Sequence, residues 1–232
     1  MKLPRGILLD LDDTLYGNYV ACNEAGERAA CAFLSAELGE PLDALFTAYV
    51  KSREEVHARL GGTASGHSRF LYLKGCIERI TDQSHIILCR QAEHLFWQQF
   101  LHTMVPRHGL ASFFDKATNL ACRIAIVSDL TVHTQAMKLE ELGVVSYVDV
   151  LITSEETGHD KPHHTVFELA LGRLRLRPED AVMIGDSYEK DICGARVLGI
   201  RGILMGDAGV RNTSFDIEHA ADFHELSGIL FP

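Results

Sequence analysis

The sequence predicts an α/β protein, a doubly wound parallel sheet interrupted after its first strand by an inserted helical bundle. Three observations carry this reading. Short apolar runs recur along the chain, and the runs end in acidic, hydroxyl or glycine residues. From about residue 110 onward these runs alternate with helix-period patterns across short connections. Residues 17–105 carry helical spacing with hardly any strand signal. The implied division is a core of residues 1–16 and 106–232 and a helical segment of residues 17–105.

The first strand is Gly6-Ile7-Leu8-Leu9-Asp10, a short apolar run that opens into a loop, as a buried strand of a parallel sheet does. The insert follows with three apolar stripes. Leu42, Leu45, Phe46, Tyr49, Val56 and Leu60 form the first; Phe70, Leu73, Ile77 and Ile80 the second; Leu88, Ala92, Leu95 and Phe96 the third. Gly61 to Gly66 breaks the series with a flexible loop. Trp97 and the aromatics at 96 and 100 read as helix packing. Strand runs then resume at 123–127, 148–152, 181–184 and 200–205, ending at Ser128-Asp129, Thr153-Ser154, Gly185-Asp186 and Gly206-Asp207. Between them, Val132, Ala136, Leu139 and Leu142 line one helix, and Val166, Leu169, Ala170 and Leu174 another. The polar residues therefore gather at the carboxyl ends of the strands, where open parallel sheets bind ligands.

The 232 residues are 47% apolar and 23% charged, ordinary values for a globular protein. Acidic residues outnumber basic ones by 32 to 22, a net charge of −10 that disfavours binding to nucleic-acid phosphates. Neither a transmembrane run nor a basic amphipathic segment is evident, so no membrane contact is expected and the chain is read as cytoplasmic. Six scattered cysteines without a CxxC pair read as buried apolar residues. Asn212-Thr213-Ser214 matches a glycosylation sequon and is read as chance.

Two acidic clusters follow strands. Asp10-x-Asp12-x-Thr14 spaces its carboxylates two apart, which places them on one side of an extended chain. Close carboxylates repel, and a cation or a shared proton must relieve them. Magnesium, a hard cation that prefers oxygen, is the expected relief. Gly185-Asp186-Ser187-x-x-x-Asp191 supplies two more acids, so Asp10, Asp12, Asp186 and Asp191 form a candidate metal site. A single Asp after a strand is ordinarily a cap or turn residue, but that account predicts no such gathering of acids at strand ends. Between the clusters, Ser128 can donate its hydroxyl to a phosphoryl oxygen, and Lys161, before Pro162, can offset phosphate charge.

These four groups, in this order, resemble the motifs of the haloacid dehalogenase superfamily: Asp10, Asp12 and Thr14; Ser128; Lys161-Pro162; Gly185, Asp186 and Asp191. The resemblance spans essentially the whole chain and implies a Rossmann-like core with a helical cap inserted after the first strand. It implies that Asp10 is the nucleophile and forms an aspartyl-phosphate. Asp12 would protonate the leaving alcohol and then activate water. Magnesium would be held by the Asp10 carboxylate, the Asp12 main-chain carbonyl and Asp186, supported by Asp191. Thr14 and Ser128 would position the Asp pair and the phosphate. The expected activity is hydrolysis of a small phosphorylated metabolite, such as a sugar phosphate, a phosphoglycolate-like acid or a nucleoside monophosphate. Asp12 separates this from haloacid dehalogenation, where a departing halide needs no proton. A phosphomutase, a dehalogenase and a non-catalytic binding homologue are the alternatives; oligomeric state is left open.

Asp129 departs from the superfamily pattern, in which Asn commonly follows the second-motif Ser; an ionised Asp cannot donate to phosphate. It is counted with Thr14, Ser128 and Lys161 as a phosphate-side residue. In the insert, the Gly-rich loop from Arg59 to Arg69, with His67, Ser68 and Arg69, is the segment most suited to touch a substrate. His163-His164 is placed near the site rim, without a shared face for a metal pair.

Overall fold

The structure, a computed structural model, describes residues 3–206 and 217–232. Asp207 and the sequon Asn212-Thr213-Ser214 lie outside the described residues. The chain divides into two compact units, Met1–Gly17 with Val105–Pro232, and Asn18–Met104.

Among the described residues, the first unit is built on six parallel strands: β1 (Gly6–Leu9), β2 (Arg123–Ser128), β3 (Val150–Thr153), β4 (Ala181–Gly185), β5 (Arg201–Met205) and β6 (Glu218–Ala220). They lie side by side in the order β3-β2-β1-β4-β5-β6. Chain order thus reverses direction across the sheet at β1 and β4, the place where doubly wound sheets open a ligand crevice at the strand ends. Every residue of β1 and β4 is buried, which is why these strands read as unbroken apolar runs. Leu9 pairs with Ile126 of β2 and Ile184 of β4, so the strand ends carrying Asp10, Ser128 and Asp186 stand nearly level.

Two differences from the sequence reading concern the sheet. β3 begins at Val150 rather than 148, because residues 145–147 form a 3-10 turn. β6 was not anticipated: it is an edge strand of Glu-His-Ala with no apolar run, held to β5 by ladder bonds and an Arg201–Glu218 ion pair.

The second unit holds α1 (Tyr19–Leu38), α2 (Leu42–Leu60), α3 (Arg69–Thr81) and α4 (Ile86–Thr103). α1 packs chiefly on α4 and α2 on α3. Gly26 lets α1 approach closely, since a Cβ there would lie 2.9 Å from the Phe96 carbonyl oxygen. Phe96, Trp97 and Phe100 pack together, with the Phe96–Trp97 centroids 5.0 Å apart in an edge-on contact. The buried faces differ in part from the expected stripes. Leu42 is 38% exposed at the start of its helix, and Phe46 is only half-buried. Ala48, Ser52, Cys76 and Cys89, outside those stripes, are buried, because small side chains fill the places where helices come closest. The Gly61–Gly66 segment is ordered: Ala64–His67 form a 3-10 turn, and the Tyr72 hydroxyl donates to the Gly66 carbonyl. Arg69 is buried within this unit. Its guanidinium donates to the His67 carbonyl (2.8 Å), the Tyr19 hydroxyl (2.9 Å) and Asn23 Oδ1 (3.0 Å) and lies over Phe96 and Trp97.

The sheet of the first unit is flanked by α5 (Leu110–Asn119), α6 (Val132–Glu141), α7 (Ser154–Thr157), α8 (His164–Leu174), α9 (Gly194–Val197) and α10 (Phe223–Leu230). Val166, Phe167, Ala170 and Leu174 of α8 pack on Leu8, Ala125 and Met183. Arg107 ties the outgoing and returning chain within this unit, donating from Nη2 to the Asp13 carbonyl (2.6 Å) and from Nε to that of Thr14 (3.2 Å). All six cysteines are free thiols, as their apolar neighbours implied. Among the described residues, no helix is long and apolar enough to cross a membrane.

Candidate active site

The site grows from the ends of β1, β2 and β4. Asp10 follows β1, and its amide donates to the Ile184 carbonyl (2.9 Å), so the backbone on which the side chain stands is part of the sheet ladder. Its carboxylate is buried. Oδ1 accepts from Lys161 Nζ at 2.6 Å and Oδ2 from the Thr14 hydroxyl at 2.9 Å. Thr14 in turn accepts from the Asp186 amide at 3.1 Å. One hydroxyl thus joins the β1 and β4 loops, using both its donor and an acceptor position.

Lys161 Nζ is shared between two acids, donating also to Asp191 Oδ1 at 2.6 Å. Asp191 Oδ2 accepts from the Ser187 amide at 3.0 Å. Gly185 is required for this arrangement, because a Cβ there would lie 2.3 Å from Asp191 Oδ2. Asp191 sits in a wide, π-type turn, Tyr188–Cys193, of the kind often found where a helix serves a site.

Oxygens of Asp10, Asp186 and Asp191 all lie within 4.8 Å of one another. Burial pushes Asp10 well above the ordinary carboxylate range; Lys161 opposes this, and Asp191 and Asp186 add to it. Asp186, on the open side of the cluster, is pushed up to about 6 by partial desolvation and the Asp191 charge. Burial disfavours the Lys161 charge, but Asp10, Asp191 and Asp129 hold its pKa above the usual lysine range. Three mutually repelling carboxylates facing one cation form an all-oxygen donor set that fits a hard divalent ion.

Asp12, grouped with these acids in the sequence reading, directs its carboxylate elsewhere. Its Oδ1 accepts from Lys138 Nζ at 2.5 Å and from the Tyr16 hydroxyl, and its Oδ2 from Gln135 Nε2 at 2.9 Å. Burial alone would raise its pKa, yet Lys138 and these hydrogen bonds hold it below the ordinary value. Asp13, the next residue, has φ of 60°, the left-handed conformation that Asp tolerates better than most residues.

Ser128 is buried at the end of β2, its Oγ 2.5 Å from Gln135 Nε2. Asp129 Oδ1 accepts from the Lys161 amide at 2.9 Å, and Oδ2 pairs with Lys190 Nζ at 2.9 Å. Asp129 therefore anchors the loop that carries Lys161, and Lys190 offsets its charge. Leu130 follows with φ of 83°, a strained value for a bulky side chain, next to the site residues. Asp129→Asn retains an acceptor for the Lys161 amide and is expected to change stability by less than about 1 kcal/mol. Asp129→Ala strands that amide and is expected to cost about 1–3 kcal/mol. Thermal unfolding of both variants checks the difference.

Sequence reasoning missed Tyr16, Gln135, Lys138 and Lys190. Gln135 and Lys138 carried a usable signal: they are polar residues one turn apart on the face of α6 that also buries Thr134 and Leu139. His163 caps α8 and its ring stacks between those of His159 and His164, at 4.2 and 4.6 Å.

Over residues 4–199 the sequence matches the family described as haloacid dehalogenase-like hydrolase. It is similar to the ribulose-1,5-bisphosphate 5-phosphatase of Halopiger xanaduensis, with 36% identity over 217 residues, 93% of this chain and 90% of the relative. It is also similar to the glyceraldehyde 3-phosphate phosphatase of Methanocaldococcus jannaschii, with 29% identity over 84% of this chain and 82% of that one. Among solved structures, a 2-haloacid dehalogenase from Pseudomonas syringae superimposes with a TM-score of 0.79 at 18% identity, covering 98% of both chains, and shares the fold.

Proposed function

The chain belongs to the haloacid dehalogenase-like hydrolases, and from that membership we propose that it is a phosphatase that cleaves phosphate monoesters of small metabolites through Asp10. The observation that carries the reading is the Asp10 carboxylate itself. It is buried at the crevice of a doubly wound sheet, aimed by Thr14 and Lys161, with two further acids beside it.

In the first step an Asp10 oxygen attacks phosphorus, the bond to the leaving oxygen breaks, and Asp12 delivers a proton to that oxygen. Asp12 is ionised at rest, so this proton reaches it beforehand from solvent or from the substrate's own phosphate. In the second step water attacks the aspartyl-phosphate and Asp12 takes its proton. The bond between phosphorus and Asp10 then breaks, releasing inorganic phosphate. Lys161 and the Ser128 hydroxyl face the charge spread over the phosphoryl oxygens. Asp10, Asp186 and Asp191 are the residues that would hold magnesium, with the Asp12 carbonyl as a further oxygen. When bound, the ion supplies Lewis-acid stabilisation of phosphoryl charge. Dehalogenase chemistry is disfavoured although a dehalogenase shares the fold, because a leaving halide has no use for Asp12.

The names of the two relatives support a phosphorylated sugar as substrate. The test is phosphate release from a panel of phosphorylated metabolites with and without magnesium. Magnesium-dependent release is expected, strongest with ribulose 1,5-bisphosphate or glyceraldehyde 3-phosphate. Halide release from 2-haloacids without phosphate release from any ester would overturn the reading.

A further inference from the structure

Lys138 is fully buried on α6, and its ammonium pairs with Asp12. A buried ion pair is a poor source of stability compared with apolar packing of the same volume. Three of the four buried residues of α6 (Thr134, Gln135 and Lys138) are polar, where a helix serving only to cover a sheet would present aliphatic side chains.

The donors approach Asp12 from two separate segments. Tyr16 comes from the chain just beyond β1 and, with Lys138, occupies Oδ1; Gln135 occupies Oδ2. Both ends of the carboxylate are held, so its torsion is defined. Gln135 Nε2 also lies 2.5 Å from Ser128 Oγ and 3.0 Å from the Asp129 carbonyl. Two amide hydrogens serve three acceptors, which makes the placement of Asp12 depend on that of Ser128 on the phosphate side.

We propose that Lys138 is a positioning residue for the proton-transfer step: with Gln135 and Tyr16 it fixes the Asp12 carboxylate where it meets the leaving oxygen. This rests on the role of Asp12 given above. Lys138 pairs with Asp12 and acts on the reaction through it.

The test compares two esters. An alkyl phosphate must protonate its alkoxide, whereas a nitrophenyl phosphate releases a stable phenolate without help. Lys138→Met is expected to slow the first chemical step, followed in a single turnover, about 100-fold on the alkyl ester, within the range that general acid–base catalysis supplies, and by less than about 5-fold on the nitrophenyl ester; the second step is common to both esters and is left out of the comparison. Asp12→Asn should show the same selectivity. The double variant Asp12→Asn/Lys138→Met should be no slower than Asp12→Asn alone, because residues acting as a unit are not additive. The double variant also removes both charges of the pair together, so it reports even if Lys138→Met alone folds poorly. Equal losses on both esters, or a double variant clearly slower than Asp12→Asn, would overturn the inference while leaving the phosphatase reading intact. An Asp12→Asn variant with full activity on both esters would overturn both.

Discussion

Asp10→Asn is expected to abolish phosphate release, with kcat falling by about four orders of magnitude or more, as losses of an attacking side chain do. Asparagine has the shape of aspartate and an oxygen to accept from Thr14, but its amide nitrogen then faces Lys161 and cannot accept from it. What is lost is the nucleophilic oxygen pair and the covalent intermediate that splits one difficult displacement into two. Stability should not fall with activity. Burial disfavours the charged form of Asp10, and Asp186 and Asp191 repel it, so a neutral side chain relieves part of that repulsion. The loss of the Lys161 bond offsets that relief, so the melting temperature is expected to stay within a few degrees of the native value. Acid-quenched native protein mixed with substrate should carry covalent phosphate, and the Asn variant none. Turnover within tenfold of the native rate would exclude Asp10 as the nucleophile.

Lys161→Met is expected to damage stability and activity together. Lys161 is 4% exposed and its ammonium lies 2.6 Å from both Asp10 and Asp191. Methionine fills much of the volume but leaves two buried carboxylates without their shared cation. Breaking a buried pair in this way costs about 3–5 kcal/mol, or roughly 6–20 °C in Tm at the 2–4 °C per kcal/mol found for chains of this size. Added magnesium should recover part of that loss, since it would bring positive charge to the same acids. Lys190→Met is the control. That lysine pairs with Asp129 but its side chain is 46% exposed, and removing an exposed pair costs at most about 1 kcal/mol. Equal melting temperatures for the two variants would mean that the cluster does not depend on Lys161.

The legible part of this protein lies where local pattern and tertiary role coincide. β1 and β4 are buried on both faces, so their apolar runs and terminal acids stand out along the chain. Asp10 and Thr14 meet within five consecutive residues, and Asp191 packs against Gly185 at the end of the preceding strand, where a Cβ would lie 2.3 Å from Asp191 Oδ2. β6 was invisible because a three-residue edge strand needs no apolar period. The helical stripes were partly misplaced because Ala, Ser and Cys, which the eye discounts, fill the closest contacts.

The sequence by itself determined the α/β class, the helical insertion after the first strand, and the acids and lysine at the strand ends. Each of these follows from side-chain periodicity or from residues a few positions apart. Only the tertiary structure decided what each acid does with its charge. Asp12 sits two residues from Asp10, yet its carboxylate belongs to Lys138, 126 residues away, while Asp10 shares Lys161 with Asp191. Asp129, a suspect phosphate contact, is occupied by Lys190 and the Lys161 amide. The physical reason is that a buried charge takes whichever opposite charge the packing of distant segments brings within hydrogen-bond reach, and no local spacing encodes that meeting.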